Sequence, residues 1–311
     1  MLWTRYDCDS PPSPRYGHTA VALDARSLWG TELVVIFGGS SKQEGGRRAL
    51  GDVVVFQVDS GSWFRPELRS AATPGSRAFH CAVGVGMRMF VFGGHVAVPD
   101  AEQQSFVRTY FNDMWYLSAD SWEWTLLTVP EEGRPCGRDL ASMVAIDDDR
   151  ILLFGGRTDA GKSLNDLWLF EIKGSKWTNL QAGGNVPGAR MKHQLVYSPD
   201  HRLLFLHGGE TSTGSLFDDL WSIRGVDGQE PWQWTQIKLR PRPSGRSGHA
   251  MSVFGSSVLC YGGHVTAAGF AFFSQNHFYS KELWVLDLKE MRYDAVKCLL
   301  KCVLFALDGQ R

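Results

Sequence analysis

The chain of 311 residues lacks the features that would assign it quickly to a membrane, nucleic-acid or secreted class. No run of about 18 apolar residues could form a transmembrane helix, and the N-terminal segment has no apolar core of the signal-peptide type. The 32 basic and 33 acidic side chains leave a formal net charge of -1, which disfavours a general nucleic-acid or membrane-surface binder. We therefore expect no nucleic-acid partner and no membrane partner.

Cysteine is scarce, and the six cysteines stand at uneven spacings without a CxxC pair. This pattern favours a reduced compartment over a disulfide framework, so we expect a protein of the cytoplasm, the nucleus or both. The sequence also lacks a nucleophile elbow, a phosphate-binding loop and an HExxH zinc motif. We therefore expect no catalytic residue, no resident metal and no cofactor.

What the sequence does contain is a pair of glycines that recurs five times, each time after a run of large apolar residues. The first glycines of the pairs are Gly38, Gly93, Gly155, Gly208 and Gly262. Copies spaced by roughly fifty to sixty residues indicate a repeat architecture. Features present in every copy then serve the shared fold, and features that differ between copies are the better candidates for function.

Each repeat carries further landmarks in a fixed order. The arginines that open the repeats are Arg15, Arg77, Arg138, Arg190 and Arg246. The tryptophans that follow the glycine pair in four repeats are Trp115, Trp168, Trp221 and Trp284, and the aromatic residues that close all five are Trp63, Trp124, Trp177, Trp234 and Tyr293. Short runs rich in Val, Ile, Leu, Phe and Trp, separated by Gly, Pro, Asn and Asp, predict four antiparallel strands per repeat, which we call a, b, c and d.

A four-stranded sheet with two apolar faces must pack against neighbouring copies, and tryptophan has the size to fill the wedge between them. The glycine pair after an apolar strand, followed by a tryptophan and another aromatic residue in a repeat of about fifty residues, resembles the kelch-repeat family. The resemblance implies an all-β, kelch-type β-propeller with five complete four-stranded repeats and an incomplete sixth blade. We expect residues 1–311 to form a single propeller domain, with repeats at about 15–63, 77–124, 138–177, 190–234 and 246–293.

The expectation of a sixth blade comes from the two ends of the sequence. Trp3-Thr4 matches the openings of the d strands, such as Trp124-Thr125, so it is expected to be an orphan d strand of the closing blade. Residues 294–311 would supply the remaining strands, but this degenerate tail has no glycine pair. Either the sixth blade is shortened, naturally or in an alternative form, or five blades close with irregular ends.

Strand direction in an up-and-down blade places the d-to-a and b-to-c connections at the same end of every blade, which we call the b–c end. The b-to-c connections of the second and fifth repeats are long and aromatic, and they are expected to face one another. The candidate partner-binding residues at this end are Arg15, Arg77, Arg138, Arg157, Arg190, Arg246, His95, His264, Phe106, Tyr110, Phe270 and Phe273. Because arginine binds carboxylates bidentately and aromatic residues dominate interface hot spots, the expected partner is a protein, through an acidic peptide segment or a C-terminal carboxylate.

Two structural alternatives stay open for these residues. The repeated arginines can pair with acidic residues of the neighbouring blade, and the loop aromatics can fold back as local cores. In function, the resemblance implies a non-enzymatic interaction module, either a substrate-recognition component of a ubiquitin ligase or a scaffold in cytoskeletal or trafficking complexes. The alternative is an enzyme similar to the iron-dependent specifier proteins or to galactose oxidase. The iron motif of the specifier proteins is approached only by Glu290, Asp294 and Cys298, where cysteine replaces histidine.

Overall fold

The computed structural model of the protein describes residues 10–43, 46–100, 105–226, 228, 230–266 and 278–296. The described residues up to Leu180 belong to one compact unit, and those from Gln181 onward belong to a second. Strands make up nearly all of the regular structure. The described ranges contain no helix with the length and apolar character that a membrane crossing requires.

The first unit holds three blades, each built around a four-stranded antiparallel sheet. The elements of blade 1 are β1 (Thr19–Asp24), α1 (Arg26–Trp29), β2 (Glu32–Phe37), β3 (Ser40–Gln43), β4 (Gly46–Ala49), β5 (Val53–Gln57) and β6 (Ser62–Phe64). Those of blade 2 are β7 (Cys81–Val85), β8 (Arg88–Phe92), β9 (His95–Asp100), β10 (Ser105–Tyr110), β11 (Met114–Ser118) and β12 (Glu123–Leu127). Those of blade 3 are β13 (Ser142–Ala145), β14 (Arg150–Arg157), β15 (Ser163–Glu171) and β16 (Lys176–Leu180).

The second unit holds two blades of the same kind. The elements of blade 4 are β17 (Gly183–Gly184), β18 (Gln194–Ser198), β19 (Leu203–His207), β20 (Leu220–Arg224) and β21 (Gln233–Ile237), and β17 runs parallel to β21. Those of blade 5 are β22 (Arg246–Ser247), β23 (Ala250–Phe254), β24 (Ser257–Tyr261), β25 (His264–Val265), β26 (Phe278–Tyr279), β27 (Leu283–Asp287) and β28 (Arg292–Val296). In all five blades the four main strands pair in sequence order, as the predicted a, b, c and d strands require.

The b strand is the most deeply buried strand of a blade because its two faces both meet apolar side chains. In β14, Ile151, Leu152, Leu153 and Phe154 are all fully buried. The a strand of blade 1 alternates instead between buried and exposed positions, as expected when only one face is covered. Val, Ile, Leu and Phe dominate the b strands because a pleated sheet that is buried on both sides favours β-branched and aromatic residues.

The aromatic residue of strand d fills the wedge between adjacent blades, as predicted. The Trp124 ring of blade 2 lies 4.8 Å from the Phe37 ring of blade 1, measured between centroids. The Trp177 ring of blade 3 lies 5.1 Å from the Phe92 ring of blade 2. Both tryptophans are buried. In these two blades the last residue of strand b therefore touches the closing aromatic of the next blade.

The close packing of the blades explains why glycine is required at both positions of the pair in blade 2. At Gly94, φ is +81° and a Cβ atom would lie 2.8 Å from the Cβ of His80. At Gly93, a Cβ atom would lie 2.6 Å from the carbonyl oxygen of Arg138 in the next blade, and Gly94 donates its backbone N–H to that same oxygen. Side chains are excluded at both positions, because one glycine meets its own strand a and the other meets the next blade.

The fold prediction is confirmed for an all-β kelch propeller with five blades. The sixth blade stays a prediction, because Trp3 and most of the tail at 294–311 lie outside the described residues. The single-domain prediction for residues 1–311 is likewise untested.

Candidate functional site

The arginine that opens each repeat is held in an ion pair at the b–c end of its own blade. In blade 4, Arg190 donates from Nη1 to Asp219 Oδ1 at 2.7 Å and from Nη2 to Asp219 Oδ2 at 2.8 Å. Its Nη1 also donates to the Gly208 carbonyl oxygen at 2.9 Å, and its Nε donates to the Gly188 carbonyl oxygen at 2.9 Å. The guanidinium therefore ties strand a, the glycine pair and the start of strand c together.

The same arrangement recurs with small variations in the other blades. The arginine and acid pairs are Arg15–Asp52, Arg77–Asp113, Arg138–Asp166 and Arg246–Glu282. In blades 2 to 5 the strand-c tryptophan donates its indole N–H to the same carboxylate. Burial raises the pKa of Asp113, but the hydrogen bond and charge of Arg77 outweigh burial and hold this pKa below its usual range. These carboxylates are thus matched by donors on several sides.

The ion pairs assign the repeated arginines a structural role. Arg77, Arg190 and Arg246 have no exposed surface, and Arg15 has a side-chain exposure of only 3%. Their guanidinium groups are engaged within the blade, so they do not form the exposed partner-binding surface that the sequence predicts. The acid also lies in the same blade as the arginine, which corrects the expected pairing with the neighbouring blade. The b-to-c connection ends at the acid. The acid at the start of strand c therefore lies beside the arginine that opens strand a of the same blade.

A cavity of about 240 Å³ opens at the b–c end of the first unit. The two-stranded ribbon β3–β4 of blade 1 and the ribbon β9–β10 of blade 2 contribute most of its wall, and blade 3 contributes Arg157. The side chains that line it are Tyr16, Ser40, Arg47, Ala49, Ala78, Phe79, His95, Ala97, Phe106, Arg108 and Arg157. Among the described residues, three arginines and no carboxylate line the cavity, so its wall is cationic.

One buried carboxylate lies behind the wall and fixes two of the lining residues. Asp139 Oδ2 accepts from Arg157 Nη2 at 2.7 Å and lies 2.9 Å from His95 Nδ1. Asp139 Oδ1 accepts from Arg157 Nε at 3.1 Å. The His95 ring also stacks on Phe79, with ring centroids 5.6 Å apart and an interplanar angle of 15°. Arg157 and His95 are therefore held in fixed orientations at the cavity.

The other two arginines of the cavity stand on the ribbons and were not selected from the sequence. Arg47 lies over the Tyr16 ring at 5.6 Å. Arg108 is exposed and has no ion-pair partner among the described residues. Phe106, on the same strand as Arg108, is 53% exposed. The sequence signal for Arg108 is its place in the long connection of the second repeat, from which the candidate residues are His95, Phe106 and Tyr110.

A second cavity, of about 520 Å³, lies at the b–c end of the second unit. Its lining residues are Lys192, Glu210, Gly214, Ser247, Gly248, His264 and Tyr279. Glu210 occupies the position that Arg157 has in blade 3, and it accepts from Lys192 Nζ and from Ser247 Oγ, each at 2.6 Å. This wall has mixed charge and a neutralised acid, unlike the cationic wall of the first cavity.

The remaining predicted residues divide between the two units. Tyr110 packs behind His95, with ring centroids 5.3 Å apart, and burial followed by the charge of Asp139 raises the pKa of its hydroxyl. His264 lines the second cavity, with its ring 6.4 Å from that of Tyr279. Phe270 and Phe273 lie outside the described residues. The structure thus brings His95, Phe106 and Arg157 together in one cavity and places His264 in another.

Comparisons with known proteins agree with this architecture. The sequence is 28% identical over 275 residues to the host cell factor of Drosophila melanogaster, which covers 82% of this chain and 16% of that protein. It is 28% identical over 294 residues to human host cell factor 2, covering 86% of this chain and 33% of that protein. It is 29% identical over 223 residues to kelch domain-containing protein 3 of Bos taurus, covering 68% of this chain and 55% of that protein. The chain thus spans less than two thirds of the length of these relatives.

The family assignment rests on a match along most of the sequence. A model described as the KLHDC2/KLHL20/DRC7 Kelch-repeats domain matches residues 1–201 and 141–302. Its extent agrees with the five blades and with the recurring glycine pairs and arginine ion pairs described above. The chain therefore belongs to the kelch-repeat family of β-propellers.

Proposed function

We propose that this protein is a non-enzymatic protein-interaction module whose first unit binds an acidic peptide segment in the cationic cavity. The observation that supports this most directly is the convergence of Arg47, Arg108 and Arg157 on one cavity, with no carboxylate among the described residues of its wall. The guanidinium groups of Arg47 and Arg108 can each donate two parallel hydrogen bonds to a carboxylate, whereas Arg157 already binds Asp139 through Nε and Nη2. An acidic side chain or the C-terminal carboxylate of a peptide supplies the matching group.

The apolar part of the cavity suits the rest of a peptide. Phe106 is 53% exposed and Tyr16 is 40% exposed, and both line the cavity. Exposed aromatic residues beside arginine are the residue types that dominate protein interfaces. The expected ligand therefore alternates or mixes Asp and Glu with apolar residues and lies against the ribbons β3–β4 and β9–β10.

Arg108→Glu is expected to weaken binding of acidic peptides by roughly tenfold to a hundredfold, because a charge-assisted hydrogen bond contributes about 1.5–3 kcal/mol. Arg108 is exposed and forms no ion pair among the described residues, so its replacement should leave the fold intact. The measurement is binding of the purified protein to an array of peptides that vary in the number and order of acidic and apolar residues. Binding to the selected peptides should also weaken as salt concentration rises.

The matched control is Lys173→Glu, which makes the same change of charge at the opposite end of blade 3. The Lys173 side chain is 85% exposed in the turn between β15 and β16, outside the cavity. The Lys173→Glu variant should bind the selected peptides with nearly unchanged affinity. Selection of peptides without regard to acidic residues, or equal losses in both variants, would contradict the proposal.

The broader biological role follows from the kelch family and is part of the same proposal. A propeller that recognises a peptide can serve as the substrate-recognition part of a ubiquitin ligase or as a scaffold, in the cytoplasm or the nucleus. The alternative enzymatic function, similar to iron-dependent specifier proteins or galactose oxidase, has less support. Of its three motif positions, Cys298 lies outside the described residues, and Asp294 forms a surface ion pair with Arg292 at 3.3 Å.

A further inference from the structure

Two residues of the second unit depart from the pattern that the other blades share at the same positions. The residue before the glycine pair is Phe37, Phe92 and Phe154 in the first three blades, but His207 in blade 4. One position earlier, the residue is Ile36, Val91, Leu153 and Leu206 in the first four blades, but Cys260 in blade 5. Both departures replace an apolar core side chain with one that can bind a metal.

The repeat geometry places the side chains of His207 and Cys260 next to one histidine, His249. In the first unit, the Phe37 ring lies 5.2 Å from the ring of His80 in the next blade. The equivalent pair in the second unit is His207 and His249, whose ring centroids are also 5.2 Å apart. Cys260 completes the group, because its sulfur and one nitrogen from each histidine all lie within 4.8 Å of one another. Three potential ligand atoms therefore meet at one point between blades 4 and 5.

The distances suit a small metal ion. His207 Nδ1 lies 3.4 Å from His249 Nε2. Two nitrogens bound to one ion at about 2.0 Å, at tetrahedral or trigonal angles, are separated by about 3.3 to 3.5 Å. The Cys260 sulfur lies within 4.8 Å of a nitrogen of each histidine, and it would move closer to them to form a metal–sulfur bond of about 2.3 Å.

The three side chains are buried, and the two imidazoles are incompletely satisfied. His207, His249 and Cys260 are exposed by 0%, 2% and 1%. His207 Nε2 and His249 Nδ1 have no hydrogen-bond partner among the described residues, and an unpartnered buried polar atom costs about 1–3 kcal/mol. Phenylalanine would avoid that cost at position 207, as it does in the first three blades. An ion would bind the other nitrogen of each ring, His207 Nδ1 and His249 Nε2.

We propose that His207, His249 and Cys260 form a binding site for one thiophilic d10 metal ion, either Cu(I) or Zn²⁺. Thiolate and imidazole are the ligands that both ions prefer. On binding, the Cys260 thiol loses its proton to solvent and the thiolate sulfur donates an electron pair to the ion. The imidazoles bind in their neutral form and release no proton.

Charge discriminates between the two ions. The buried guanidinium of Arg246 lies close enough for its charge to act on His207, His249 and Cys260. Cu(I) bound to one thiolate and two neutral imidazoles gives a neutral group, whereas Zn²⁺ leaves a net charge of +1 beside that guanidinium. Because an uncompensated buried charge is costly, the site favours Cu(I). The ligand set itself accepts both ions.

The test is the metal content of the 311-residue protein after expression with either copper or zinc, since the buried site must be filled during folding. Wild-type protein, dialysed against a weak chelator and with copper kept reduced, is expected to retain about one ion per molecule by elemental analysis. His207→Phe and Cys260→Val should each lower the retained amount at least tenfold. Both variants introduce residues that other blades carry at these positions, so circular dichroism should show an unchanged fold.

A second readout identifies the sulfur ligand. Co²⁺ in place of Zn²⁺ should give a thiolate-to-cobalt absorption band in the wild type that disappears in Cys260→Val. Cys136→Ser is the control, because Cys136 is an exposed thiol of the first unit, and it should change neither readout. Retention of neither copper nor zinc by the wild type, or equal retention by the wild type and both site variants, would overturn the proposal.

Discussion

Arg190→Met is expected to lower the free energy of unfolding of its unit by about 3–5 kcal/mol, the usual cost of removing one partner of a buried ion pair. Methionine keeps the apolar stem but supplies none of the donors that now bind Asp219, Gly208 and Gly188. The Asp219 side chain is only 14% exposed, so water cannot readily replace the guanidinium. Its remaining side-chain donor among the described residues is the indole N–H of Trp221.

The other blades provide a graded comparison. The acid opposite Arg77 is 28% exposed, and the acid opposite Arg246 is 58% exposed. Because a more exposed carboxylate is better solvated when its partner is lost, Arg77→Met should cost less than Arg190→Met, and Arg246→Met should cost least. Urea unfolding at pH 7 measures the order. Equal losses in the three variants, or a loss below about 1 kcal/mol for Arg190→Met, would show that the ion pairs do not stabilise the blades in this way.

Replacing a buried arginine of an ion pair cannot test partner binding separately from stability. Reversing the charge of Arg77 or Arg190 would place a second carboxylate beside Asp113 or Asp219 in a buried site, so loss of a partner would then report loss of the fold. Arg108 avoids this difficulty because it is exposed. Binding and stability can therefore be separated only by choosing arginines outside the ion pairs.

The ion pairs could have been predicted more fully from the sequence. An acid stands two residues before the strand-c tryptophan in each of the four repeats that have one, as in Asp166-Leu167-Trp168. Asp52 stands at the same place in the first repeat. An arginine and an acid that recur equally often are expected to meet in the fold, since an isolated buried charge is costly. The repeated residues of the sequence therefore predict both the strand pattern of the blades and the ion pair inside each blade.

The cavity could not be predicted in the same way. Its wall depends on how the ribbons β3–β4 and β9–β10 fold back over the blades, and these segments differ from repeat to repeat. Arg47, Arg108 and Phe106 have no counterpart column in the other repeats. A side chain on a long connection is placed by contacts distant in sequence, which no periodicity encodes. Repeats therefore predict the scaffold well and the binding surface poorly.

Lowering the pH from 6.5 to 4.5 is expected to destabilise the first unit, with His80 contributing about 2–3 kcal/mol of the loss. Burial, followed by the charges of Arg77 and His18, lowers the pKa of His80 to about 3. The unfolded protein binds a proton at this histidine below pH 6.5, whereas the folded protein stays neutral there down to about pH 3. The stabilisation is thus complete above pH 6.5 and is lost progressively as the pH falls.

Two variants separate titration of His80 from its packing. His80→Leu removes the titrating ring, so the slope of unfolding free energy against pH in this range should fall by about 1.4 kcal/mol per pH unit. Thr19→Val removes only the hydroxyl that lies 2.7 Å from His80 Nε2, so it should lower stability while keeping most of the slope. Urea unfolding at several pH values between about 4.5 and 7 measures both. The same slope in wild type and His80→Leu would mean that the buried imidazole takes up its proton without unfolding. The expectation that His80 must stay neutral in the folded core would then be wrong.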